Sequence, residues 1–328
     1  MSINKLLISG GCERNGGFEL GDGKYYEKAV LAELDLESGK FEEVYCVREG
    51  GVNYPTEHPN IQFTAGCVQG DTLWLPTDTE IHELCSRNYQ LVRTISHSCF
   101  QNLHSVHRLG EYLITTSTGL DNVIFLDAET GEISKIVNAE GKDPWHRFDR
   151  TIDYRQVHST RPHHSHPNYV FVLKDTLWVT RCTQEDAVNM SNFNERLDIT
   201  RGSGCSVHDG VVWKDRLIFT RVDGLLPMFD TASGSFLGNE DPFRNHVNKP
   251  IGWCRGLLVE NDVAYLGFSR IRKTRMKHRL KFLAQRNLKY GTGQNALVVA
   301  YDLKNQSLLN VYEAPAGLID AIYGVMAI

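Results

Sequence analysis

Short apolar, β-branched segments recur along the chain, each closed by a small polar turn, in a fixed order. The unit is an apolar strand, a Gly, Asp or Asn turn, a second apolar strand, a variable stretch, a strand ending in Asp, and a small turn. The clearest copy runs from His104 to Ile136, with turns at Gly110-Glu111 and from Ala128 to Gly131. A second runs from His208 to Gly238, turning at Lys214-Asp215 and from Thr231 to Gly234. Aligning Leu113 with Leu217 also aligns His104 with His208, so a histidine occupies one shared offset in both copies.

Weaker copies start at Phe63 with a turn at Gly70-Asp71, at Tyr169 with a turn at Lys174-Asp175, and at Cys254 with a turn at Asn261-Asp262. Leu73, Leu113, Leu177, Leu217 and Ala264 are equivalent, at separations of 40, 64, 40 and 47 residues. The N-terminal copy supplies only three strands, and a lone apolar strand around Asp320 to Ala327 ends the chain. That arithmetic predicts an all-β, six-bladed β-propeller over residues 1–328 as one domain, with the last strand becoming the innermost strand of the first blade.

Two insertions depart from the pattern. Residues 138–163 are polar, aromatic and rich in paired charges, which predicts a top loop reaching over the channel through Trp145, His146, Arg147, Asp149, Asp153 and Arg155. Residues 270–291 hold a strongly basic segment in which Met276, Leu280, Leu283, Ala284 and Leu288 fall at helical spacing. They predict a helix inserted in the last blade, either docked on the propeller or meeting a membrane surface or a protein through 270–289.

Composition narrows the function classes. A share of 41% hydrophobic and 23% charged residues excludes general disorder, and a net charge of -5 argues against wholesale nucleic-acid binding. The first residues carry no export signal or membrane span, so a cytoplasmic location is expected, and eight cysteines without a CxxC pair read as reduced thiols.

In a propeller the starts of the innermost strands converge on one mouth of the channel. Here they carry His104 with His107, His164 with His166 and Asn168, His208 with Asp209, and Trp253 with Cys254 and Arg255. His104, His166, His208 and His164 could hold a divalent metal (Zn, Mn, Fe or Ca) through imidazole nitrogens, with carboxylates or water completing the sphere. An extended strand would place His164, His166 and Asn168 on one face. Without metal, His104 or His208 would serve as general base or nucleophile beside Asp209. Arg255 would hold an anionic group, and His107, Asn168, Trp253 and Arg147 would contact substrate.

These histidine strand starts, Gly252 to Leu258 and Gly267 to Lys273 resemble an uncharacterised bacterial family of propeller-like proteins across the last two thirds of the chain. More distantly, HSV at 104–106 and HHSHPN at 163–168 are similar to strand starts in arylsulfate sulfotransferases, six-bladed propellers that use a channel histidine and no metal. Metal-dependent propeller lyases and lactonases are a second resemblance, which implies ligands converging on the channel. The expectation is a metal-assisted hydrolase or lyase acting on a small polar or anionic molecule. Histidine-dependent group transfer and a non-catalytic protein- or glycan-binding propeller are the alternatives.

Overall fold

The computed structural model describes residues 3–244, 252–270 and 295–328. Its strands form six four-stranded antiparallel sheets arranged as the blades of a propeller. Blade one consists of Ala321–Ala327, Lys5–Glu13, Tyr26–Asp35 and Phe41–Val47. The final strand is innermost and pairs with Lys5–Glu13, so the ring closes by joining the two ends of the chain in one sheet. Blades two to six begin with the innermost strands Cys67–Gln69, Leu103–Leu109, Pro167–Leu173, Val207–Trp213 and Trp253–Glu260, and each then runs outward in sequence order.

Turn chemistry explains why this order repeats. The first hairpin of each of the last five blades turns through positive φ, at Gly70, Gly110, Lys174 with Asp175, Lys214 and Asn261, as two-residue hairpins require. All five turns fall where the sequence placed them. Leu73, Leu113, Leu177, Leu217 and Ala264 pair with Val68, Arg108, Val172, Val212 and Val259, each one step from its hairpin, so the five positions are structurally equivalent. On the outer side, Asp35, Asp127, Asp230 and Asp302 accept backbone N–H bonds from residues three further on and close the last turn of their blades.

Apolar residues of facing blades pack together at every blade boundary. Trp213, Ile218 and Met228 of blade five meet Leu257, Leu266 and Phe268 of blade six, for example, and comparable clusters fill the other five boundaries. The interior is thus a ring of six interfaces around a polar channel.

One bond recurs around that channel. A buried Ser or Thr on the second strand of a blade donates its hydroxyl to a backbone carbonyl at the start of the next blade. Ser9 bonds Thr64 O (2.7 Å), Thr116 bonds Asn168 O (3.2 Å), Thr180 bonds His208 O (2.6 Å), Thr220 bonds Arg255 O (3.0 Å) and Ser269 bonds Ile322 O (3.1 Å). Blade two lacks the hydroxyl, and there Ala65 N donates to His104 O at 3.1 Å instead. The acceptors sit at irregularities of register within Leu103–Val106, Pro167–Val170, Val207–Gly210 and Cys254–Leu257, and beside the one that isolates Tyr323. In blades three, four and five the same hydroxyl also accepts an N–H from the innermost strand of its own blade, Ser105 to Thr116, Tyr169 to Thr180 and Asp209 to Thr220. A bulge redirects side chains, and this one is held identically in successive blades.

The 138–163 excursion contains no strand beyond Asn138 and one short 3-10 turn at Tyr154–Gln156. Trp145 and Phe148 pack on the core shared by blades two and three and so brace the excursion. The expected helix of 270–291 lies, apart from Arg270, outside the described residues. Arg270 itself pairs with Glu13 at 3.0 Å and Asp320 at 3.2 Å.

Replacing Thr220 by Val keeps the shape but strands Asp209 N–H and Arg255 O, at a cost of about 1–3 kcal/mol for each buried group left unpaired. The expected result is a Tm several degrees lower than that of Thr94→Val, a control on an exposed strand position. Equal melting of the two variants would show that the clasp carries no weight.

Candidate functional site

The repeated bulge delivers His104, His208, Arg255 and Tyr323 to one end of the channel. All four are buried, with relative exposures of 8%, 3%, 7% and 4%. The His104 ring lies 5.7 Å from that of His208 and 6.2 Å from Tyr323, and His208 lies 6.3 Å from Tyr323. The Arg255 guanidinium stacks over Tyr323 at 4.6 Å and Trp253 at 5.6 Å, and Nη1 donates to Ser269 Oγ at 3.3 Å.

His166 joins from the turn before blade four, its ring 5.1 Å from His104. That turn is wrapped around the Asp121 carboxylate, which accepts from His164 N at 2.9 Å and from Ser165 N and His166 N at 2.8 Å each. Arg147 binds the same carboxylate at 2.6 Å and donates to Pro162 O at 2.8 Å. The buried charge of Asp121 is therefore both paired and hydrogen-bonded, and it fixes the turn that carries three histidines.

Each ring has one nitrogen committed. His104 Nδ1 faces Asn102 O at 3.1 Å, and a carbonyl can only accept, so the proton is on Nδ1 and Nε2 keeps a lone pair. His208 Nδ1 lies 2.6 Å from Asp209 Oδ1, while Asp209 Oδ2 accepts Leu257 N at 3.1 Å. His208 Nε2 is buried without a hydrogen-bond partner. His166 Nδ1 and His163 Nδ1 are 2.6 Å apart, so one donates to the other.

Burial acts first on all four imidazoles and keeps them neutral. It lowers His104 to about 3, with Arg255 adding to the effect against the Asn102 bond. His163 falls to about 4, by burial and then by Arg161. His166 and His208 are held well below the ordinary histidine value by burial and next by His104. Burial pushes Asp209 well above the usual carboxyl range, against the pull of the Leu257 N–H and Arg255. Burial thus works against charge on both partners of the His208–Asp209 pair, which meet at Nδ1 and Oδ1.

Other expected site residues have different surroundings. His164 faces away from the ring, half exposed, with Nδ1 3.9 Å from Glu140 Oε2. The strand starts only at Pro167, and His166 has a φ of 55°, so His164 and His166 do not share a strand face as an extended chain would have placed them. Arg147 is engaged by Asp121 and Pro162 O and braces the histidine turn. Asn168 Nδ2 donates to Val207 O at 2.9 Å and ties blade four to blade five. His107 lies further along its strand against Tyr169, with ring centroids 4.4 Å apart, and burial lowers it to about 4.

Sequence reasoning missed Tyr323, His163 and Asp121. Tyr323 was findable, because counting from the shared bulge makes it the counterpart of His104, His208 and Arg255. It also missed Asp78, a buried carboxyl that accepts from Asn60 Nδ2 at 2.8 Å and Gln62 Nε2 at 3.2 Å, and whose backbone oxygen accepts Leu103 N beside His104.

Burial raises Asp78 from the ordinary 3.8 to about 7. The folded protein therefore binds this proton more tightly than the unfolded chain. The stabilisation is full below pH 3.8 and is lost as pH rises towards 7. In Asp78→Asn, where Gln62 can turn its unpaired Oε1 to the new amide, that dependence is absent. The Tm of the parent minus that of the variant should fall between about pH 4.5 and 7.5 by calorimetry, and a constant difference would contradict the assignment.

No family model matches the chain, and no curated protein matches it in sequence. Solved structures do match in fold. A protein of unknown function from Bacteroides caccae is 8% identical, with a TM-score of 0.63, covering 100% of this chain and 99% of that one. The WD40 β-propeller domain of Doa1 is 13% identical, with a TM-score of 0.53 over 92% of this chain and 80% of that one. At such identities the likeness is one of fold, and neither supports the resemblance to sulfotransferase or lactonase-type propellers. Among the described residues no helix is long and apolar enough to cross a membrane.

Proposed function

We propose that the channel mouth is the active centre of an enzyme that transforms a small anionic molecule by hydrolysis or elimination, with His208 as general base. The observation that carries this reading is the buried, unpartnered Nε2 of His208, whose opposite nitrogen is held by Asp209. A carboxylate behind an imidazole fixes its tautomer and stabilises the imidazolium formed when Nε2 takes a proton. In hydrolysis that proton leaves the attacking water and then passes to the leaving group. In elimination it leaves a carbon next to a carbonyl or carboxylate.

Arg255 supports the choice of an anionic substrate. Its guanidinium is buried between Trp253 and Tyr323, and a carboxylate, phosphate or sulfate arriving at Tyr323 meets a fixed positive charge in a poorly screened site. An anion also makes protonation of neighbouring imidazoles less costly, so binding and proton uptake are linked.

Ring spacing favours a second reading, in which a divalent metal assists the same chemistry. Two imidazoles on one tetrahedral ion have centroids about 5 Å apart, and His104 stands at 5.1 Å from His166 and 5.7 Å from His208. Such an ion would be held by His104 Nε2 with His208 Nε2 or with His166, and would supply Lewis acidity next to Arg255.

The test begins with metal analysis of untagged protein, then screens lactones, uronic-acid sugars, and phosphate and sulfate esters. For any compound turned over, His208→Gln should lower kcat by about 10²–10⁴-fold and Asp209→Asn by a large part of that. Full activity in His208→Gln would sink the proposal. Stoichiometric metal lost with His104→Ala would select the metal-assisted form, and a covalent adduct on His208 would replace base catalysis with group transfer.

A further inference from the structure

We propose that Glu140, His146 and His164 form a zinc-class metal site on the outer side of the histidine turn, separate from the channel. Each side chain offers one ligand atom, and the three atoms all lie within 4.8 Å of one another. The one measured pair, His164 Nδ1 and Glu140 Oε2, is 3.9 Å apart. Ligand atoms on a tetrahedral zinc ion, with bonds of about 2.0–2.1 Å, stand about 3.4 Å apart. The exposed His146 and His164 side chains close that difference by small torsional changes.

The supporting shell is already in place. His146 Nδ1 donates to Asp143 O at 2.8 Å, which fixes the ring and leaves Nε2 as the ligand atom. Asp143 is itself set by accepting Trp145 N at 2.8 Å, and Asn122 Nδ2 holds Pro144 O at 3.1 Å. Glu140 N donates to Asn138 Oδ1 at 3.0 Å, and the His164 backbone is anchored on Asp121. Three ligands thus come from three independently anchored backbone positions.

The donor set selects the ion. Two imidazoles and one carboxylate suit zinc and its neighbours in the first transition row, whereas calcium and magnesium prefer oxygen throughout. Without an ion, the Lys142 ammonium sits 3.3 Å from Glu140 Oε2, and a divalent cation replaces it. His146 and His164 are exposed, which leaves a fourth position for water or a further ligand. An ion here staples the 138–163 excursion to the turn bearing His166, and so stiffens the channel mouth from outside.

The experiment is calorimetric titration of the full-length, metal-stripped protein with Zn²⁺, and a parallel titration with Co²⁺ followed by visible absorption. The parent should bind one equivalent in addition to any held by the channel, with an absorption band of low-coordinate cobalt. His146→Ala, at an exposed position, and the isosteric Glu140→Gln should weaken that equivalent at least tenfold while leaving the metal-free Tm unchanged. In His208→Ala it should persist, which separates this site from the channel. Undiminished binding in His146→Ala, no binding in the parent, or loss only in His208→Ala would each overturn the assignment.

Discussion

The hydroxyl that clasps five of the six blades to the next is the bond on which the channel depends. Six sheets packed through apolar faces would form a ring without it, but apolar packing does not fix how far each innermost strand slides along the axis. A Ser or Thr hydroxyl has one proton to give, and here it goes to a carbonyl of the neighbouring blade, while in three blades its lone pair accepts the N–H next to a bulge. Slippage by one residue would strand both groups in the interior. The same bulges turn His104, His208, Arg255 and Tyr323 towards one another, so the geometry of the ring and that of the site share a cause.

Electrostatics follow from that arrangement. A cluster of four histidines beside an arginine would repel itself if charged, and burial settles the matter by keeping the imidazoles neutral. Burial pushes Asp209 towards its neutral form as well, leaving a site with several lone pairs in which the guanidinium of Arg255 is the fixed charge. The nearby Asp121 is a different case: its charge is consumed by Arg147 and three backbone N–H groups, and it serves position alone.

Much of the ring was legible in the sequence because hairpin chemistry is local. Lys214-Asp215 and Asn261-Asp262 announce their turns without help from the rest of the chain, and the equivalence of His104 with His208 follows from counting between turns. Closure by residues 321–327 followed from a blade short of one strand. Tertiary anchoring was less legible. HHSHPN reads as an extended strand with alternating faces, yet Asp121, some forty residues earlier, gathers its N–H groups and turns His164 outward. Nothing in the sequence around Arg147 names Asp121 as its partner. Tyr323 drew no attention because an isolated tyrosine in an apolar strand carries no chemical signature until the bulge positions are superposed.

The central claim is that His104 and His208 present unprotonated Nε2 atoms to the channel mouth, each held by a partner on Nδ1. Long-range ¹H–¹⁵N NMR of histidine-labelled protein at neutral pH reads this directly, with His104→Gln and His208→Gln assigning the signals. The account predicts two neutral rings with pyrrole-type Nδ1 and pyridine-type Nε2. Imidazolium signals, or rings protonated on Nε2, would contradict it.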